Sequence, residues 1–138
     1  VGTIINLLDW WRNRAYSNRG VAPSAFCDEH GVSFVDGLSN QEVRHRFMWD
    51  EITTVVAFKL DLYSYDEVCV ALLNERGEVL GSVSEAGDSF SAFIHDLSRW
   101  LEGCRQPDEW WDQVCFPPFQ TSLAELYQRC SPRIDSSR

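Results

Sequence analysis

Three observations predict an α+β chain: a long alternating run, several strand-like segments in succession, and one amphipathic helix after them. The run is 52–62, where Ile52, Val56, Phe58, Leu60 and Leu62 share one parity, against Thr53, Lys59 and Asp61 on the other. Side chains two apart on a strand point to one face, so the spacing predicts a long half-buried strand in an antiparallel sheet. The helix is read from Phe90, Phe93, Ile94, Leu97, Trp100 and Leu101, whose i, i+3, i+4, i+7 spacing forms one apolar face. Strands followed by a helix that lies over or plugs their sheet make an α+β domain.

The other elements follow in chain order. Ile4, Leu7, Leu8 and Trp11 have helical spacing, with Arg12 and Arg14 at the end that suits the helix dipole. Ile5 and Trp10 fall outside that stripe, so this N-terminal apolar helix (1–15) needs a groove, a partner or a membrane surface. Residues 16–24 are turn-rich and read as a linker into a single α+β domain over 25–131. Phe26 marks a short edge strand. Residues 32–35 form another, ended by the hairpin-type pair Asp36-Gly37. From 42 to 49 the pattern sets Val43, His45, Phe47 and Trp49 inward and Glu42, Arg44 and Arg46 outward.

After the long strand, 67–73 is apolar at every position after Glu67, which predicts a strand covered on both faces. Residues 74–77 make a turn, and 78–84 returns with Val79 and Val83 inward. Asp88 is positioned to cap the amphipathic helix and Gly103 to end it. Residues 106–119 read as one helical turn followed by an extended proline segment. Ser122 and Glu125 have capping-box spacing, which predicts a short C-terminal helix through Leu123, Leu126 and Tyr127. Residues 132–138 read as a disordered tail.

Composition narrows the function. The 138 residues carry a net charge of −9, and the surplus sits in the middle, where 60–115 holds twelve carboxylates against Arg76, Arg99 and Arg105. Such a field opposes phosphate backbones and anionic lipid and favours basic partners, although a negative surface also serves solubility. With Lys59 the only lysine, nucleic-acid binding is not expected, and membrane binding is disfavoured. No stretch approaches the roughly 20 apolar residues of a membrane span. The opening residues lack the positive region of a signal peptide. Five cysteines (27, 69, 104, 115 and 130) form an odd set without CxxC spacing, so free thiols in a cytoplasmic setting are expected.

No motif predicts catalysis. Cys104 or Cys115 could meet His95 in space, which keeps a thiol-dependent enzyme as an alternative, but activation needs an adjacent base and a lowered thiol pKa. His45 reads as a core histidine and His30 as a turn residue. The three histidines lack paired metal spacing, and 61–67 lacks the alternating oxygen ligands of a calcium loop, so neither a metal nor a cofactor is expected. Two segments suit a protein partner: Asp61, Tyr63, Tyr65, Asp66 and Glu67, and then Asp108, Glu109, Trp110, Trp111 and Asp112. Rings among acids suit a basic, arginine-rich surface through rigid area and cation–π attraction. The alternative for each is a core aromatic with acids facing water.

The order Trp49-Asp-Glu-Ile52, Lys59-x-Asp61, Asp66-x-Val-Cys69, Ser84-Glu85 and Trp110-Trp111-x-x-Val114-x-x-Pro117-x-Phe119 resembles a group of small uncharacterised bacterial proteins, over roughly residues 30–130. The resemblance implies a curled antiparallel sheet of the pleckstrin-homology-like (PH-like) kind, closed by one amphipathic helix. It is similar, further, to immunity-type proteins that neutralise bacterial toxins. It implies no catalytic residues. A scaffold or membrane-peripheral role, docking through residues 4–11, stands as the alternative interaction reading.

Overall fold

Residues 24–38, 41–61, 66–116 and 122–129 are described by a computed structural model. They form two antiparallel sheets and two helices, an α+β fold. Strands β1 (Ser24–Cys27), β2 (Gly31–Leu38) and β3 (Gln41–Met48) make a three-stranded sheet in that order. Strands β4 (Thr54–Asp61), β5 (Asp66–Leu73), β6 (Val79–Ser84) and β7 (Ser122–Gln128) make a second sheet, ordered β6-β5-β4-β7. Helix α1 (Phe90–Trp100) and helix α2 (Pro107–Cys115) lie between β6 and β7 in the chain. The N-terminal helix and most of the linker, the tail and the two tyrosines Tyr63 and Tyr65 lie outside the described residues.

The four-stranded sheet is buried on both faces. Val55, Ala57, Val68, Val70, Leu72, Val83, Ala124 and Leu126 face a core shared with Ala25, Val32 and Phe34 of the other sheet and with both helices. Val56, Phe58, Cys69, Ala71 and Leu73 face the opposite way into a separate cluster, joined by the half-buried Val79 and Leu123. The strand expected over 52–62 is β4, which is central and not half-buried, flanked by β5 and β7. Val55-Val56-Ala57-Phe58 is a continuous apolar run, the pattern of a strand covered on both sides. Strand β5 meets the expectation of two covered faces.

Lys59 shows how far this burial goes. Its side chain is 1 % exposed, on the face first assigned to solvent. The ammonium donates to the Cys115 carbonyl at 2.7 Å and pairs with Asp66 at 3.6 Å. Burying an unpaired ammonium costs several kcal/mol, so these partners are a condition of its position. They also tie the end of α2 to β4.

Helix α1 meets the expected periodicity, burying Phe90, Phe93, Ile94 and Leu97. Its N-terminus differs: Ser89, not Asp88, precedes the first helical residue, and its hydroxyl accepts from Ala25 N–H at 3.0 Å, which links the helix to the edge strand β1. The chain leaves the helix through Gly103, at φ +88°, a left-handed conformation glycine takes without a Cβ penalty. A second helix, of nine residues, replaces the single turn expected after 106. Pro107 opens it, and Glu109 Oε1 accepts from Gln106 N–H at 3.0 Å.

Other departures have local causes. The capping-box reading of Ser122 and Glu125 fails, because 122–128 is a strand on β4, with Ala124 and Leu126 pointing into the shared core. Ser122 hydroxyl instead donates to the Val114 carbonyl at 2.6 Å. Leu38 pairs with Gln41, so Asp36 and Gly37 lie within β2 and not in its turn. His45 is exposed, since β3 is the outer strand of its sheet and the paired Phe34 fills the core there. Trp49 leaves the strand for a short 3₁₀ turn, where Nε1 donates to the Asp28 carbonyl at 2.8 Å and the ring stacks on Trp100. Val79 faces the second cluster and not the shared core, because the pairing register shifts between Leu72 and Leu73.

The two sheets approach closely where Gly81 of β6 meets Phe34 of β2. A Cβ on Gly81 would stand 2.6 Å from the Phe34 ring. Gly81→Ala is expected to destabilise the fold by about 1–3 kcal/mol through overpacking. Adding Phe34→Leu should recover part of that loss in a chemical-denaturation double-mutant cycle, whereas strictly additive losses would show that the contact is not the cause.

Candidate functional site

Helix α2 carries the second expected contact segment and divides it sharply. Trp110 is fully buried, and Trp111 is half-buried against the same core, 5.7 Å from the Trp110 ring and 6.4 Å from Phe90. Asp108, Glu109 and Asp112 are exposed. A helical period of 3.6 explains the split, because Trp110 and Val114 are four apart on the inner side while the acids fall on the outer ones. Asp108 and Glu109 also occupy the first turn, where negative charge complements the helix dipole. The outer surface here is thus carboxylate, beside a half-buried Trp111.

The first expected segment is divided by burial as well. Asp66 is half-buried beside Lys59, and Glu67 is 7 % exposed on the second face of the four-stranded sheet. Asp61 ends β4 opposite Asp66 in the register, while Tyr63 and Tyr65 lie outside the described residues.

A further acidic feature was not singled out from sequence. Asp50, Glu51, Thr53, Asn74, Glu75, Arg76 and Leu80 line an open cleft of roughly 550 Å³ between the 3₁₀ turn and the β5–β6 turn. Glu51 is committed in part, since its Oε2 accepts from Met48 N–H at 2.8 Å. Asn74 Oδ1 accepts from the backbone N–H groups of Arg76 and Glu78, and Arg76 pairs with Glu78 at 3.2 Å. Asn74 Nδ2 also donates to Glu78 Oε1 at 2.8 Å, and this bond, followed by the charge of Arg76, holds the Glu78 carboxyl below its ordinary value. Asp50 and Glu75, both exposed, line this cleft from distant parts of the sequence.

The cations are disposed differently from the acids. Arg129 donates to the carbonyls of Trp49 and Ile52 at 2.9 and 2.8 Å. Arg105 donates to the Glu109 carbonyl at 2.8 Å and to Gln113 Oε1 at 3.1 Å. Arg46 lies against both oxygens of Asp28 at 3.0 and 2.9 Å, and Lys59 is internal. Among the described residues, Arg46, Lys59, Arg105 and Arg129 are therefore engaged with carboxylates and carbonyls of the chain, while carboxylates of α2 and the cleft face water.

No family model, curated protein or solved structure matches this chain.

The cysteines test the thiol chemistry directly. Cys27, Cys69, Cys104 and Cys115 are free thiols. Burial pushes Cys27 up to about 12 and Cys104 up to about 11, with Asp96 and Glu109 respectively adding to the effect. Burial raises Cys69 well above its ordinary value and raises Cys115 also. A nucleophilic thiol needs the opposite shift. His95 is exposed on α1, its Nδ1 lying 2.8 Å from the Ser91 carbonyl of its own helix. No group of three or more metal-ligating side chains occurs among the described residues, and no described helix is long and apolar enough to cross a membrane.

Because the folded thiols ionise above 9.0, their stabilisation is complete below that pH and is lost as pH rises through about 11 to 12. At neutral pH, Cys27, Cys69 and Cys104 should alkylate at least tenfold more slowly in the native protein than in denaturant, as peptide-resolved mass spectrometry would read. A native rate matching the unfolded rate at any of the three would contradict the assignment.

Proposed function

We propose that this chain is a non-catalytic protein-binding domain, built on a curled PH-like meander, whose partner is basic. The most specific form of the reading is an immunity-type inhibitor that neutralises a basic bacterial toxin in the cytoplasm. One observation carries it: Asp108, Glu109 and Asp112 stand exposed on α2 while the tryptophan beside them is locked in the core. The buried Trp110 fixes the helix, so its carboxylates are presented on a rigid support and lose little freedom on binding. The second acidic feature, at Asp50 and Glu75, extends the same sign of charge to another part of the surface.

Acids arrayed this way accelerate encounter with a positive surface and discourage polyanions. The raised thiol pKa values and the exposed, locally bonded His95 favour binding over thiol catalysis as the way this domain works. The PH-like description here concerns shape alone, since the same fold can host unrelated functions.

The test is affinity purification of the tagged protein with the product of the adjacent open reading frame, then titration at two ionic strengths. A basic partner should bind at low micromolar concentration or tighter, and weaken as salt rises. Asp108→Asn with Asp112→Asn, which spares the capping role of Glu109, should weaken that binding about tenfold, the scale of two rim charges. Failure to bind, or binding indifferent to both salt and the two substitutions, would overturn the reading.

A further inference from the structure

Strands β1, β3, β6 and β7 stand at the margins of the two sheets, and the chain closes three of them. On β1 the Ala25 N–H is taken by the Ser89 hydroxyl at 3.0 Å. On β7 the Leu126 carbonyl accepts from the Arg105 N–H at 2.9 Å. On β6 Ser82 and Ser84 are 5 % and 6 % exposed, so that margin is closed as well. Strand β3 is the exception, because His45 and Arg46 both face water.

The pairing pattern shows which backbone groups of β3 are open. In an antiparallel ladder each residue turns its N–H and C=O together, toward one neighbour or the other, in alternation. Ala25 N–H points away from β2, so the residue opposite it, Phe34, turns its own groups to β3 and bonds His45. Trp49 N–H, which donates to the His30 carbonyl at 3.4 Å, keeps the same phase. Arg44, Arg46 and Met48 therefore turn their N–H and C=O groups away from the sheet. Glu51 Oε2 takes the Met48 N–H at 2.8 Å. Among the described residues nothing bonds the outward groups of Arg44 and Arg46.

Open N–H and C=O groups along an extended strand are a template for one more strand. The end of the row narrows what that strand carries. Because Glu51 accepts from an outward N–H, its carboxylate stands on the open side of β3, in line with a strand laid along Arg44 and Arg46. Exposed Asp50 adjoins it, and Glu75 lines the cleft beyond. Met48, 55 % exposed, offers an aliphatic contact beside these acids. Arg46 is met by both oxygens of Asp28 and Arg76 by Glu78, so these two charges are answered within the chain. A second copy would set a net charge of −9 against itself. We propose that β3 receives an extended, lysine- or arginine-bearing segment of the basic partner as a fourth strand of its sheet, paired to Arg44 and Arg46 with a cation at Glu51. This rests on the reading of a basic partner and adds how that partner is held.

Amide exchange in the full-length chain, resolved by NMR with and without a hexapeptide of alternating lysine and valine, tests the pairing. With millimolar peptide the Arg44 and Arg46 amides should slow about tenfold or more, while His45 and Phe47, already bonded to β2, change less than about twofold. The same peptide with glutamate for lysine should leave all four unchanged. Arg44→Pro, which removes an outward N–H where an edge strand tolerates proline, should abolish protection of Arg46, whereas Arg44→Ala should keep it. Absent or non-alternating protection, equal effects of the two peptides, or protection that grows with protein concentration alone would overturn the inference. If Arg44→Pro unfolds, the alternation decides alone. The peptide assay needs no natural partner: absent pairing here overturns the β3 assignment alone, and failure of the co-purified protein to bind overturns the wider reading.

Discussion

Burial of one four-stranded sheet on both faces is the constraint on which the rest of this molecule depends. Strand β4 lies at its centre, with Val55 and Ala57 committed to one core and Val56 and Phe58 to the other. Full burial of a valine or phenylalanine contributes about 1.5–3 kcal/mol, so such a strand gathers stabilisation from two sides. It also has no tolerant face. That explains why the lysine in it is held by a carbonyl and a carboxylate, and why its neighbour β5 is apolar at nearly every position.

The exposed acidic surface follows from this commitment. With the sheet closed on both sides, the exposed acids sit on what decorates it: α2, joined to β4 by the Lys59–Cys115 hydrogen bond, and the turns around Asp50 and Glu75. Trp110 anchors α2 so that its carboxylates are held in place. The guanidiniums of Arg105 and Arg129 meanwhile satisfy carbonyls that a chain with so many turns would otherwise leave to solvent. Acidic presentation and structural use of the cations are thus two aspects of one arrangement.

Much of the fold was legible in the residues, because periodicity records burial. The spacing of Phe90, Phe93, Ile94 and Leu97 located α1, and the apolar run over 68–73 located a strand covered twice. The errors arose where a local pattern had two physical meanings. Lys59 and Thr53 suggested a solvent face for β4, outweighing the run Val55 to Phe58, because ion pairing of a buried lysine depends on a distant Asp66 and Cys115. Ser122 and Glu125 have the spacing of a cap, yet Ala124 and Leu126 have that of a strand, and pairing with β4 decides between them. Of the two candidate contact segments, α2 was legible as acids around tryptophans, but which tryptophan enters the core required its helical phase. The cleft joins residues 50–53 to 74–80 and was invisible to any reading along the chain.

Native-state hydrogen exchange of the full-length chain tests the central claim most directly. Amides of Val56, Phe58, Val70 and Leu72, in the two inner strands, should exchange only through global unfolding, with the full denaturant dependence of that transition. Exchange of these four amides through local opening, with little dependence on denaturant, would contradict a sheet closed on both sides.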